Sequence, residues 1–493
     1  MGAHRSRTTM NRRDFLRRSI CGALGGVGLY GAMGNLKLLE AAIGSYGANA
    51  FSDYKALVCV FMFGGNDALN MVIPRSATHY AQYAAARATL AVPQSDLLPL
   101  VPVSGGGASD GASYGLQSAT GGGGDVGMAG LQGLFNSGRA AVLGNVGTLV
   151  VPVTKAQYQS GTATLPPQLF SHNDQQTYWQ TSRSDDPRNL GWAGRIADLL
   201  QDANPGADIP MAMSLNFESG LARAAFSNQY VIGSGGPRTI GELQWNADRR
   251  AAFMPLMAGG AQAHPLERGF ATAFTRYMEN AGAVTDALDG APQLATAFPD
   301  SSLGQQLAMV ARLVSVRAAL GLRRQIFFVS MGGFDHHDRL LENQPGLLAE
   351  LSQALAAFDA ATVELGVDGS VTTFTASDFG RTLSSNGDGS DHGWGAHHFI
   401  TGGAVRGGRF YGKMPTLAND GPDDAGWGQI IPTTSVDQYS ATLARWFGVG
   451  ESEIDLIFPN LGNFAARDLG FFSPAGGGSG AVRAAAGQSR RRR

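Results

Sequence analysis

Residues 56–67 read ALVCVFMFGGND, and residues 325–335 read QIFFVSMGGFD. Each is an apolar run closed by a glycine pair, with an aspartate two residues beyond it. Because neither run alternates polar with apolar residues, each predicts a strand buried on both faces, as found in parallel sheets. Asp67 and Asp335 would then sit just past the carboxyl ends of their strands. Val371–Thr375, ending shortly before Asp378, reads as another strand, and so do Ala140–Val146 and Phe399–Gly402. Between them, Leu303–Leu320 and Leu347–Leu365 repeat apolar residues at helical spacing. Strands alternating with helices predict an α/β fold with a mainly parallel sheet covered on both faces. Ligands in such sheets bind outside the carboxyl ends of the strands, where these acidic loops fall.

Those loops also collect the chain's metal-binding side chains. Five of its 9 histidines lie in GGFDHHDRL (332–340) and GSDHGWGAHHF (389–399), beside Asp335 and Asp391. Carboxylate oxygens combined with imidazole nitrogens suit a divalent metal of the zinc or manganese kind in preference to calcium or magnesium. Asp335, His337 and His392 are expected on one ion, with Asp67 and Asp378 close by. The glycines at 387, 389, 393 and 395 predict an irregular loop around these histidines. Bland readings exist beside this one: Asp67 as a turn residue, Asp335 as a helix cap, and Asp378 as a simple partner of Arg381.

The N-terminus carries an address. Arg12-Arg13 followed by Phe15-Leu16 is a twin-arginine pattern, and a glycine-rich apolar run from Ile20 to Leu39 follows it. With Ala48-Asn49-Ala50 as a cleavage site, residues 1–50 read as a signal peptide and the destination as periplasmic or secreted. Of the 2 cysteines only Cys59 would remain, a buried core residue. Residues 51–470 then form one α/β domain with a flexible glycine-rich insertion near 104–127, followed by a disordered basic tail at 471–493. A net charge of −2 with 15% charged residues gives no sign of a nucleic-acid binder, and no segment after processing would span a bilayer.

The twin-arginine start together with GGNDALN, QLFSHNDQQTYWQT, GGFDHH, DFGRT, DHGWGAHHF and GGAVRGG, in this order, resembles the domain of unknown function 1501 family, out to about Phe464. That family is in turn similar to the alkaline phosphatase and sulfatase superfamily. The kinship implies an alkaline-phosphatase-like, three-layer α/β/α sandwich with metals at the strand ends.

Carried over residue by residue, the resemblance makes Asp67 the first metal aspartate and Ser171 the nucleophile. It makes Asp335 with His337 a metal pair at shortened spacing, and His392, helped by His397, the last ligand. Asp378 falls where an Asp-His pair is expected, but Phe379 replaces the histidine. Ser171 reads physically as the N-cap of a helix starting SHND, a position that also favours an anion. As a nucleophile it needs activation, by a metal or by His172 as base. Arg381 or Arg195 would clamp a phosphate or sulfate. The expected function is a metal-dependent hydrolase acting on a small-molecule or polymer ester of phosphate or sulfate. The alternative is a non-catalytic scaffold that assembles with other exported proteins, for which the resemblance suggests the domain of unknown function 1800 family.

Overall fold

The computed structural model describes residues 51–118, 127–185, 190–238, 240–258 and 262–473. The signal segment, the Gly121–Gly124 run and the basic tail beyond 473 lie outside the described residues.

The two opening runs are β1 (Lys55–Met62) and β8 (Arg324–Met331), which pair in parallel from Lys55 opposite Arg324 to Met62 opposite Met331. On the other side of β1 lies β9 (Val371–Ser377), also parallel, with Met62 opposite Ser377. The three strands therefore end level, and their loops emerge side by side. Around them run β2 (Val72–Pro74), β3 (Leu97–Pro99), β4 (Tyr114–Gln117), β5 (Ala140–Gly147), β6 (Ala212–Leu215), β7 (Gln229–Ile232), β10 (Ala396–Thr401), β11 (Arg409–Gly412) and β12 (Thr434–Ser435). The main sheet has the order β11-β5-β10-β9-β1-β8-β6-β7, with β12 beside β5, and β2-β4-β3 form a small separate sheet. Among the described strands of the main sheet, β10 alone runs antiparallel to its neighbours.

Among the described helices that pack on the sheet or frame its rim are α1 (Ala77–Arg87), α2 (His172–Thr181), α3 (Trp192–Leu199), α4 (Ser302–Ser315), α5 (Leu340–Glu364) and α6 (Val436–Phe447). Period-two geometry sends alternate β1 side chains to opposite faces. Val58, Val60 and Met62 join a core with Leu307 and Val310 of α4 and Leu351 and Leu355 of α5. Leu57, Cys59 and Phe61 join a second core with Trp192 and Ile196 of α3 and Leu443 and Phe447 of α6. The molecule is thus a three-layer α/β/α sandwich. Each fully buried Val, Leu or Phe contributes about 1.5–3 kcal/mol, so both faces are needed to hold the sheet.

Two expectations need correction. The region near 104–127 is not simply a flexible surface insertion, because Tyr114 and Leu116 of β4 are buried in the first core. His397 and His398 do not sit in a glycine loop either. β10 begins at Ala396, and both histidines are buried within it. The backbone hydrogen bonds of the sheet, with a register shift between Ala396 and His398, outweigh the local glycine signal.

Candidate metal centre

Asp335, Asp378 and the loop after β1 meet because their strands end level. A Cβ at Gly64, whose φ is +114°, would stand 2.5 Å from the Asp335 amide nitrogen. Glycine therefore lets the β1 loop lie directly on the backbone that presents Asp335. His392 arrives differently. The chain after Asp378 pairs with the chain around His392 outside any strand: Arg381 bridges His392, Thr382 N donates to Asp391 O at 2.9 Å, and Gly380 N donates to Trp394 O at 3.0 Å. That short ladder folds His392 back over the exit of β9. His172 comes from the first residue of α2.

These elements bring four side chains together. The His337 Nε2 lies 3.0 Å from His392 Nε2. Asp335 Oδ1 lies 3.1 Å from His337 Nε2 and 3.4 Å from His392 Nε2, and its Oδ2 lies 3.5 Å from His172 Nε2. The ligand atoms of His172, Asp335 and His392 all fall within 4.8 Å of one another. Asp335 and His337 are half-exposed, so the group opens to solvent.

The far nitrogen of each ring decides what the near one can do. His392 Nδ1 lies 2.6 Å from the carbonyl oxygen of Phe170, which can only accept, so this nitrogen donates. His172 Nδ1 lies 2.6 Å from Asp378 Oδ2, and His337 Nδ1 lies 3.1 Å from Asp391 Oδ1. A ring that gives its Nδ1 proton outward has its Nε2 on the inner side, facing the Asp335 carboxylate, where the nitrogen offers a lone pair whenever it carries no proton. Two lone pairs facing each other at this distance repel unless a proton or a metal cation lies between them. Bonds of about 2.0–2.2 Å to a tetrahedral zinc separate its donors by roughly 3.4 Å, close to the 3.1, 3.4 and 3.5 Å between the Asp335 oxygens and the Nε2 atoms of His337, His392 and His172. The residues therefore fit a divalent ion.

The charges around the group follow from its surroundings. Burial works against the Asp335 carboxylate, but the hydrogen bond and charge of Arg381 outweigh it and hold its pKa below the usual range. The hydrogen bond that His172 donates to Asp378 raises the pKa of His172 against the effect of burial, whereas burial lowers that of His392.

Several expected members of the site stand elsewhere. The Asp67 carboxylate, fully buried, is ion-paired with Arg87 at the end of α1 and accepts amides of Leu69 and Asn70. A guanidinium already neutralises it, so it does not join the group. Buried His397 accepts the Asn145 amide at 3.1 Å and is likewise excluded. Arg381 is buried with its guanidinium on Asp335 Oδ1 at 2.8 Å, so it braces the carboxylate instead of facing a substrate anion. Arg195 is buried too and donates to backbone carbonyls, those of Thr181 and Ile457 among them. Asp378 lies behind His172, accepting Nδ1, Gln176 Nε2 at 2.9 Å and the Gly64 amide at 3.2 Å.

Ser171 occupies the N-cap position of α2 but makes no side-chain bond to the helix backbone; its Oγ donates to Asp174 Oδ2 at 2.6 Å. His172 is bonded to Asp378 and sets its Nε2 toward Asp335, while the Ser171 hydroxyl is turned to Asp174. Sequence reasoning missed Asp391, Gln176 and the Phe170 carbonyl as supports. Gln176 had a signal, since four residues after His172 it shares that residue's helix face.

Among solved structures, the chain is similar to Ps i-CgsB in complex with k-i-k-neocarrahexaose, at 10% identity over 82% of this chain and 74% of that one, with a TM-score of 0.34. It is also similar to the PsFucS1 sulfatase from Pseudoalteromonas sp., at 10% identity over 85% and 72%, with a TM-score of 0.32. A third is the lipoteichoic acid synthase LtaP from Listeria monocytogenes, at 9% identity over 86% and 81%, with a TM-score of 0.32. No curated protein matches the sequence. The profile described as "Protein of unknown function (DUF1501)" matches residues 54–426, and the chain belongs to the DUF1501 family.

Proposed function

We propose that the protein is a metal-dependent hydrolase of phosphate or sulfate esters, exported by the twin-arginine route to the periplasm or beyond. The observation that carries this reading is the convergence of three imidazole Nε2 atoms and the Asp335 carboxylate on a solvent-open rim of the sheet. A bound zinc or manganese ion would polarise the ester oxygen and favour a nucleophile at neutral pH. The chain's own residues do the rest. Arg381 keeps Asp335 ionised, while Asp378, Asp391 and the Phe170 carbonyl hold the three rings in register. Ser171 lies between Phe170 and His172, both of them tied to the centre, and its hydroxyl already donates to Asp174. In the step we envisage, Ser171 Oγ attacks phosphorus or sulfur while its proton passes to Asp174. The bond to the leaving alcohol breaks, the alcohol takes a proton from solvent, and water then cleaves the serine ester. The test is a panel of phosphate and sulfate monoesters and diesters, offered to the purified protein with zinc, manganese, calcium or magnesium. Turnover abolished by chelator and restored by zinc or manganese is expected; no metal-dependent turnover on any ester overturns the reading.

A second reading, a scaffold that assembles with exported partners such as the domain of unknown function 1800 family, draws on a different observation. Trp245, Leu256, Leu266 and Phe270 are largely exposed, at 82%, 62%, 78% and 64%. Apolar side chains clustered along one stretch suit a protein contact. Under this reading Leu266→Asp with Phe270→Asp abolishes co-elution with the partner, and His337→Ala leaves it intact. Co-elution that survives the double substitution removes its support.

A further inference from the structure

We propose that His172 is a metal ligand and Asp378 the residue that positions it, so that the centre binds its ion through three histidines and one carboxylate. The proposal takes from the hydrolase reading only the presence of a metal, not the ester chemistry.

His172 could serve Ser171 as a base or serve a cation as a ligand, and the contacts separate the two. The Ser171 hydroxyl donates to Asp174, while the His172 ring donates from Nδ1 to Asp378 and sets its Nε2 3.5 Å from Asp335 Oδ2. The ring cannot swing toward the serine without losing its packing. Phe379 lies against it with ring centres 4.8 Å apart, and His392 meets it edge-on at 4.4 Å. Phe379 itself, directly after Asp378, cannot bind a metal. The imidazole beside Asp378 is supplied instead from α2, over 200 residues earlier in the chain.

Asp378 is built for this task. Its carboxylate is completely buried, and among the described residues it has no Lys or Arg ion pair. Gly64 N and Gln176 Nε2 join His172 Nδ1 on Oδ2, whereas Oδ1 is buried with no hydrogen-bond partner among the described residues. A buried carboxylate needs positive charge nearby. An imidazole that donates to it from Nδ1 and holds a cation on Nε2 transmits that charge, the arrangement by which ligating histidines are oriented and made more basic. Acceptors on three separate segments, Asp378, Asp391 and the Phe170 carbonyl, all free the same nitrogen on three rings. A single structural histidine needs one such bond; here the ligand atoms of His172, Asp335 and His392 lie within 4.8 Å of one another, and His337 Nε2 adjoins them at 3.1 Å from Asp335 Oδ1 and 3.0 Å from His392 Nε2. Three nitrogens and one oxygen favour zinc, cobalt or manganese over calcium.

The test uses the full mature chain, stripped by chelator and titrated with Co2+ and Zn2+ in the absence of any ester. The wild type should take up one equivalent, and the Co2+ visible spectrum should report a low-coordinate nitrogen-rich site. His172→Asn should alter that spectrum and weaken Zn2+ binding at least as much as Asp378→Asn. Asp378→Asn, near-isosteric in its buried place, should weaken it about 10–100-fold. If His172→Asn lowers the melting temperature of the stripped protein, Asp378→Asn carries the test alone. Unchanged Zn2+ affinity and Co2+ spectrum in Asp378→Asn, or in a well-folded His172→Asn, while His337→Ala and His392→Ala lose the metal, overturn the proposal and leave the hydrolase reading intact. A chain that holds one ion through these four residues but turns over no ester keeps the proposal and removes the hydrolase reading.

Discussion

Ser171 and Asp67 show how differently two conspicuous residues are used. Ser171 stands at the start of α2, but its hydroxyl gives its proton to Asp174 and not to a helix amide. As a cap it therefore contributes little, and Ser171→Ala should cost less than about 1 kcal/mol of stability. As the nucleophile it should be indispensable. We expect Ser171→Ala to abolish ester hydrolysis while metal content and melting temperature stay nearly unchanged; hydrolysis at the wild-type rate would assign the attack to water. Asp67 is held by Arg87, both side chains fully buried. Arg87→Ala leaves that carboxylate unpaired in the interior, and a loss of about 3–5 kcal/mol in chemical denaturation is expected, with Zn2+ content per folded chain unchanged. A loss below about 1 kcal/mol would show that Asp67 finds its charge elsewhere.

At the scale of elements, β10 carries the two histidines that the glycine-rich loop before it made look like ligands. Inside the sheet they are kept neutral: burial pushes the pKa of His397 down to about 4 and that of His398 to about 3. In the unfolded chain each titrates near pH 6.5. Folded pKa values below the unfolded one mean that the unfolded state takes up protons first. Their contribution to stability is thus fully present above about pH 6.5 and is lost as pH falls toward 4, at about 1.4 kcal/mol per pH unit for each ring. His398 rests edge-on against Trp179 at 4.7 Å, and its Nε2 has no hydrogen-bond partner among the described residues. Replacing it by Phe keeps a ring there and removes the buried titration. Denaturation curves from pH 7 to 5 should show a shallower decline for His398→Phe than for wild type. Parallel declines would mean that water or a local opening already charges the ring.

For the whole molecule, the level ends of β1, β8 and β9 set the rim, and the segment ahead of residue 51 would set the destination. No described helix is long and apolar enough to cross a membrane. Replacing Arg12 and Arg13 by Lys should leave the precursor in the cytoplasm, as fractionation and immunoblotting would reveal, because the pathway reads the arginine pair. Wild-type amounts in the periplasm would point to another route. The sheet itself was legible in the chain, since a strand buried on both faces writes a continuous apolar run and its stop is marked by glycine. Asp335, His337 and His392 were legible as a group for the same reason: polar side chains just beyond such stops fall on one rim. The partners of those residues were not legible. Whether Asp67 meets a metal or Arg87 depends on where α1 packs, and whether His397 faces solvent or core depends on where β10 begins. The role of His172 depends on α2 docking its first turn against Asp378. Local sequence determines which segments are strands and where they stop; long-range packing decides which charge lies opposite each buried carboxylate. Only the tertiary structure could therefore turn a list of acidic and imidazole side chains into a centre with three oriented rings.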